Sequence, residues 1–223
     1  MSRLQAPMAI VLEGAALKAA GQEDPAHDYN HVLRVRETAV RIASEEGADG
    51  EIAEAAALLH ELFYFPKGHV EAHRSGEVCA QRARKLLTGV GFPGDKIEPV
   101  CECIRVHAFS AGLEASTPEA RVLQDADRLD AIGAIGVARC FATCASMNRP
   151  FYSPGDPFCR AREPDDKKWG VDHFYRKLLR IEGGLHTRAA RTIATQRTAF
   201  LRAFLAQLER EIAAPASGSK GEG

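Results

Sequence analysis

The clearest structural signal in this chain is the stretch "AAALLHE", residues 55–61. Five small or apolar residues in a row predict a helical segment that is buried on every side. The run ends in two polar side chains, His60 and Glu61, and a carboxylate buried without a partner is costly. A divalent ion would satisfy both side chains at once, so the stretch predicts a polar centre at the end of a buried helix.

The sequence on either side of this stretch also has helical periodicity. Val32, Val35, Ala39 and Ile42 recur at helical spacing, and Asp49 is placed to cap the helix that contains the buried run. Glycines and prolines punctuate the later segments, and no stretch shows the alternation that is typical of strands. The pattern therefore predicts an all-α fold.

The same pattern gives the expected domain organisation. We expect a single helical domain over residues 1–212, with its core at about 26–150 and its carboxy-terminal helices at 171–212. Residues 213–223 are small and polar, which predicts a disordered tail.

Composition excludes several classes of protein. The 223 residues are 45% hydrophobic and carry a formal net charge of −1, so the whole chain has no electrostatic bias toward nucleic acid. No apolar run approaches the ~20 residues that span a bilayer, and no paired CxxC motif suggests structural zinc. We therefore expect a cytoplasmic protein with free thiols and no membrane partner. The oligomeric state is left open.

Two further residues could join the polar centre. His31 lies on a predicted amphipathic helix, where an isolated histidine is most often an ordinary packed or surface residue. Asp127 belongs to an acidic run with Asp125 and Asp130, which could also form a solvated face paired with nearby arginines. Asp125 fits such a face well. Asp127 and Asp130 fit it less well, because residues 131–138 are almost wholly apolar.

The order of these residues resembles the HD-domain superfamily of metal-dependent phosphohydrolases, in its small stand-alone bacterial branch. The resemblance covers about residues 26–212 and rests on these segments: "AHDYNHVLRVRETAVRIA" from Ala26, "AALLHELF" from Ala56, "IRVHAFSAG" from Ile104, "QDADRLDAIGAIGVAR" from Gln124, "DHFYRKLLRI" from Asp172 and "RTIATQRTAFLRAFLAQLEREI" from Arg191. It implies an HD-domain helical bundle in which His31, His60 and Asp127 hold a divalent metal. Manganese is expected ahead of magnesium, cobalt, nickel or iron.

The chain departs from the family pattern at two places. Glu61 stands where the superfamily has the aspartate of its name, and its longer side chain could bind, displace or weaken the ion. The branch has a further acidic residue a few positions later, where this chain has Phe63-Tyr64-Phe65. These departures leave room for an impaired site.

The resemblance also suggests residues that meet the substrate. Lys67 and His107 are the candidate catalytic residues, and Arg34 and Arg128 are candidates for substrate binding. Each has an ordinary alternative: a solvated lysine, a helix-terminal histidine, or arginines paired with Glu61 or with the acidic run.

The implied activity is hydrolysis of a nucleotide or a related phosphate ester or anhydride, including cleavage of a nucleoside triphosphate to monophosphate and pyrophosphate. The alternative is a catalytically impaired HD fold that senses a nucleotide or binds a partner. A di-iron oxygenase would need more histidine ligands, and His69, His73 and His107 do not form a familiar pattern for one.

Overall fold

The computed structural model describes residues 3–20, 28–65, 69–108 and 112–213. Within these ranges the chain forms α-helices and short 3-10 turns but no β-strand, so the all-α prediction is confirmed. The helices are α1 (Ala6–Ala19), α2 (Tyr29–Glu46), α3 (Gly50–Leu59), α4 (Ser75–Gly89), α5 (Gly94–Val106), α6 (Pro118–Asp130), α7 (Gly133–Ser146), α8 (Gly170–Arg176) and α9 (Arg188–Ile212).

Local signals set the helix ends around the buried run. The Asp28 side chain accepts a hydrogen bond from the backbone N–H of His31 at the start of α2. Gly47 ends that helix in the left-handed region at a φ of 72°, which glycine adopts without steric cost. Two residues later, Asp49 accepts from the first N–H groups of α3. This tight connection places α3 directly against α2.

The core is centred on α3, which packs against α1, α2, α5 and α6. Residues 55–59 are buried as predicted, and His60 follows them at the end of the helix. Helices α2 and α6 pack against each other, which brings His31 and Asp127 to the same place. The ends of three core helices therefore meet at the polar centre.

The carboxy-terminal helices attach to this core through Asp125, which corrects one expectation. We expected Asp125 on a solvated face, but its side chain is fully buried. It accepts hydrogen bonds from the backbone N–H groups of His186 and Thr187 and from the Thr187 hydroxyl. The face was misjudged because the partners lie about 60 positions away, beyond any local pattern.

Two expectations concern residues that the structure does not describe. Lys67 lies outside the described ranges, as does the tail from residue 214 onward. Among the residues described, no helix taken singly has the length and hydropathy to cross a membrane, and only the pair α6 and α7, bent by 65°, meets those criteria jointly.

Candidate metal centre

Three ligand atoms converge where α2, α3 and α6 meet. One atom from each of His31, His60 and Asp127 lies within 4.8 Å of the other two. The two Nε2 atoms of the histidines are 3.3 Å apart, and His31 Nε2 lies 3.5 Å from Asp127 Oδ1. Both imidazoles are buried, whereas the Asp127 side chain is 25% exposed. The cluster is therefore open to solvent on its carboxylate side.

His60 is oriented by its own helix. Its Nδ1 lies 2.7 Å from the carbonyl oxygen of Ala57, so Nδ1 carries the proton and donates it. Burial lowers the pKa of His60 to about 4, and the negative charge of Glu61 opposes that shift. At neutral pH the ring is therefore uncharged, with the Nε2 lone pair directed at the cluster.

His31 is oriented by a carboxylate rather than a carbonyl. Its Nδ1 lies 2.7 Å from Asp130 Oδ2, across 99 positions of sequence. Burial alone would raise the pKa of Asp130, but its hydrogen bonds with His31 and Arg34 and the charge of Arg34 lower it well below its usual value. The ionised carboxylate accepts the Nδ1 proton of His31 and leaves Nε2 facing the cluster. Metal-binding histidines commonly have such a carboxylate partner.

Two arginines complete the surroundings of Asp130. Arg34 donates through Nε and Nη2 to the two carboxylate oxygens, at 2.7 and 3.0 Å. Arg139, from α7, donates to Oδ2 at 2.8 Å. The substrate-binding role expected of Arg34 stays a prediction, but its guanidinium is already held by an acid. Arg139 was missed by the sequence reading, because nothing local marks it as a partner of α6.

The structure does not bring Glu61 into the group of three. Glu61 is half-buried and lies next to His60 in the chain, and its charge acts on that imidazole. Its carboxylate is nevertheless not among the atoms that lie within 4.8 Å of one another. Ligation by Glu61 stays a prediction.

His107 ends α5 beside the cluster. Its Nδ1 donates to the Ile104 carbonyl at 2.6 Å, in the same way that His60 bonds to Ala57. The rings of His60 and His107 meet edge to face, with centroids 5.2 Å apart. His107 is therefore a neighbour of the cluster, and its catalytic role stays a prediction.

Arg128 points toward the carboxy-terminal segment. It donates to the carbonyl of Gly184 at 2.8 Å and to Gln124 Oε1 at 2.7 Å, and lies 3.2 Å from His186 Nε2. These contacts join α6 to the turn before α9. Substrate binding by Arg128, like the role expected of Lys67, stays a prediction.

The donor set fits a divalent metal ion. Ligand atoms about 2.0–2.2 Å from one ion lie roughly 3 Å apart when they occupy neighbouring positions. The distances of 3.3 and 3.5 Å from His31 Nε2 to the other two ligand atoms are close to that value. Two imidazole nitrogens and a carboxylate oxygen also suit borderline divalent ions. His31, His60 and Asp127 are therefore the residues that would hold the ion.

Comparison with known proteins identifies the family. The profile of the HD domain matches residues 28–132, which include His31, His60 and Asp127. The protein YpgQ of Bacillus subtilis is 32% identical over 194 residues, covering 85% of this chain and 86% of YpgQ. The chain belongs to the HD domain family.

Solved structures extend the similarity over nearly the whole chain. The crystal structure of Bacillus subtilis YpgQ in complex with ADP matches with a TM-score of 0.73 and 30% identity, covering 92% of this chain and 98% of YpgQ. An HD-superfamily hydrolase from Bacillus thuringiensis matches with a TM-score of 0.71 and 28% identity, covering 94% and 96%. A protein from Lactobacillus plantarum matches at 0.74 and 27%, covering 95% and 100%. The chain thus has the fold of HD-superfamily hydrolases throughout.

Proposed function

We propose that this HD protein is a metal-dependent phosphohydrolase that acts on a nucleotide, including a nucleoside triphosphate cleaved to monophosphate and pyrophosphate. The observation that carries the proposal is the convergence of His31, His60 and Asp127 at a site open on one side. The ADP bound to YpgQ, a relative over most of the chain, supports a nucleotide ligand.

A bound divalent ion would polarise a phosphoryl oxygen and lower the pKa of a water molecule held there. The surrounding side chains of this protein hold the donors in place for that chemistry. The Ala57 carbonyl fixes the His60 ring and Asp130 fixes the His31 ring, so neither imidazole has to reorganise. Asp127 supplies the negative charge, and its partial exposure leaves room for substrate.

His107 is the residue we assign to the substrate side. With Nδ1 donating to Ile104, its Nε2 is the nitrogen that could accept a proton from a phosphate or an attacking water. We also assign Lys67 to the phosphate as a point charge, on the family resemblance alone. Arg34 is held by Asp130 and would need to exchange partners to reach the substrate.

The rival function is nucleotide binding without turnover. Two observations favour it: Glu61 lies outside the convergent group, and aromatic residues 63–65 replace the acid that the family branch has there. The HD fold would then serve as a sensor or a partner-binding module.

One screen separates the two functions. The protein is stripped of metal, supplied in turn with manganese, magnesium, cobalt or nickel, and assayed against nucleotides and phosphate esters for released phosphate or pyrophosphate. We expect turnover with at least one ion, lost in Asp127→Asn, because the nearly isosteric amide lacks the charge that the ion requires. Asp95→Asn is the matched control, since Asp95 is exposed in the first turn of α5.

The outcomes are distinct. Nucleotide binding without turnover under every ion would establish the sensing module instead. Unchanged metal stoichiometry in Asp127→Asn after dialysis would exclude Asp127 as a ligand and remove the basis of the proposal.

A further inference from the structure

A cavity lies between α7 and α8, apart from the metal centre. It has a volume of about 140 Å³ and is lined by four basic side chains, Arg139, Arg149, His173 and Lys177. The described residues contribute no carboxylate to its lining, and none of the three metal-centre residues lines it. Arg139 already pairs with Asp130 and His173 with Asp166, so the excess positive charge of the wall centres on Arg149.

Arg149 is the cation best placed to receive a ligand. It follows the end of α7, where its backbone N–H bonds to the Cys144 carbonyl, and its side chain is half-buried. Among described residues, its guanidinium hydrogen-bonds to the Met147 sulfur at 3.1 Å and forms no ion pair. Sulfur is a weak acceptor, so most of the guanidinium's donor capacity is unused. Paired N–H donors of this kind match the oxygens of a phosphate.

The opposite wall comes from α8 and the residue that follows it. Burial lowers the pKa of His173, its partner Asp166 opposes the shift, and the charges of Lys177 and Arg149 reinforce it. Lys177, on the same wall as His173, and Arg149, on the facing wall, therefore both act on this ring. Like charges gathered in one partly desolvated space repel, and an anion between them would relieve that repulsion.

The size of the cavity is compatible with a phosphate group. Its volume of about 140 Å³ is well above what a single water molecule needs. A free phosphate ion fits there, and a nucleotide could place its phosphate end there.

We propose that this cavity is a second anion site, which binds a phosphoryl dianion through Arg149, Lys177 and Arg139. The site has a direct connection to the metal centre. Arg139 also donates to Asp130, the acid that orients His31. An anion in the cavity competes with Asp130 for Arg139, and Asp130 is hydrogen-bonded to His31. Anion binding therefore acts on the carboxylate that orients His31.

The test is calorimetric titration of the purified protein with orthophosphate and, separately, with AMP. Arg149→Gln and Lys177→Gln should each weaken binding roughly tenfold, because each removes a charge-assisted contact. Arg202→Gln is the matched control, since it removes the same charge from an exposed position on α9. The melting temperature without ligand verifies that each variant is folded, and Arg149→Gln alone suffices if the other is not.

Binding of orthophosphate alone, dependent on Arg149, assigns the site to free phosphate. Tighter binding of AMP with the same dependence assigns it to the phosphate end of a nucleotide. Binding that survives in Arg149→Gln but disappears in Asp127→Asn would put the anion at the metal centre and overturn the proposal without touching the proposed function. Absence of binding to the wild-type protein would overturn it as well.

Discussion

Two buried carboxylates, Glu54 and Asp130, each accept hydrogen bonds from an arginine of α2, but their remaining partners differ. Arg36 of α2 donates to Glu54 Oε1 at 2.8 and 2.6 Å, and Arg34 donates to Asp130 Oδ1 at 2.7 Å. The remaining acceptor of Glu54 binds the backbone N–H of Leu4 and ties down the segment before α1. Asp130 instead accepts a hydrogen bond from His31 Nδ1, and the other ring nitrogen of His31, Nε2, faces the metal centre.

We infer from the comparison what separates a structural ion pair from one that supports the proposed metal centre. Burial and an arginine partner are common to both acids, so neither property identifies a site. The difference is the third partner: a backbone N–H ends the network of Glu54, whereas an imidazole with a second nitrogen extends the network of Asp130. Substitutions in the Glu54 network should therefore change stability, whereas substitutions in the Asp130 network should change metal affinity.

The largest expected effect is on stability, at Glu54. Glu54→Gln should lower the free energy of unfolding by about 3 kcal/mol, because the amide has one acceptor oxygen where the carboxylate accepts from both Arg36 and the Leu4 N–H, and because it removes the charge that faces Arg36. Metal stoichiometry should not change. Denaturant unfolding of the variant measures the loss, and Glu45→Gln, in the exposed pair with Arg41, should cost under about 0.5 kcal/mol. Equal losses for the two variants would contradict the prediction.

Asp130→Asn should change metal affinity, the second of the two measurements. The amide cannot accept from His31 and both arginines at once, so the imidazole loses its fixed orientation. We expect metal affinity to fall about 10–100-fold, as is typical when the support of a ligand histidine is removed. Manganese titration of the stripped protein measures it, with Glu54→Gln as the matched variant. If Asp130→Asn binds manganese as well as the wild type, Asp130 belongs with Glu54 as a structural acid.

A third buried carboxylate, Asp172, extends the comparison to the pH dependence of stability. Burial alone would raise the pKa of Asp172, but hydrogen bonds from Arg162 and from the Asp165 backbone lower it. Its stabilising contribution is therefore complete above the unfolded pKa of about 3.9 and is lost as pH falls through the lower folded value. The melting temperature of the wild type should exceed that of Asp172→Asn at pH 7, and the gap should close below about pH 4. A gap that stays constant with pH would refute the assignment.

The smallest effect is expected at Glu61. Glu61→Asp shortens the side chain to the one the family uses, so we expect metal affinity to rise by less than about tenfold, within the range that ligand support commonly contributes. Manganese titration of both stripped proteins measures it. Weaker binding by Glu61→Asp would mean that the local backbone has adapted to glutamate, and the case for an impaired site would lose its main support.

How much of the structure could be predicted from the sequence depended on how far apart along the chain the interacting residues lie. Helix ends near Gly47, Asp49 and Pro118 were predictable, because capping side chains and glycine act within a few residues. The buried run and His60 were predictable for the same reason. These signals are local, and the sequence displays them directly.

The support of the site was not predictable in the same way. The bond from His31 to Asp130 and the contact of Arg139 depend on how α2, α6 and α7 pack. The only sequence signal was that Asp130 sits in apolar surroundings, which marks an acid in need of a partner without naming one. Asp125 gave no signal at all, because arginines nearby in sequence offered it a plausible but wrong partner.

The bonds of Asp125 also bear on where this domain could be cut or fused. The match to the HD domain profile ends at residue 132, yet Asp125 within the matched residues accepts hydrogen bonds from His186 and Thr187. Arg197 of α9 likewise donates to the carbonyl of Leu129 at 2.6 Å. Residues 28–132 therefore depend on contacts from beyond the profile match: moving them to another protein without α9 would remove the hydrogen bonds that the carboxy-terminal helices donate to α6.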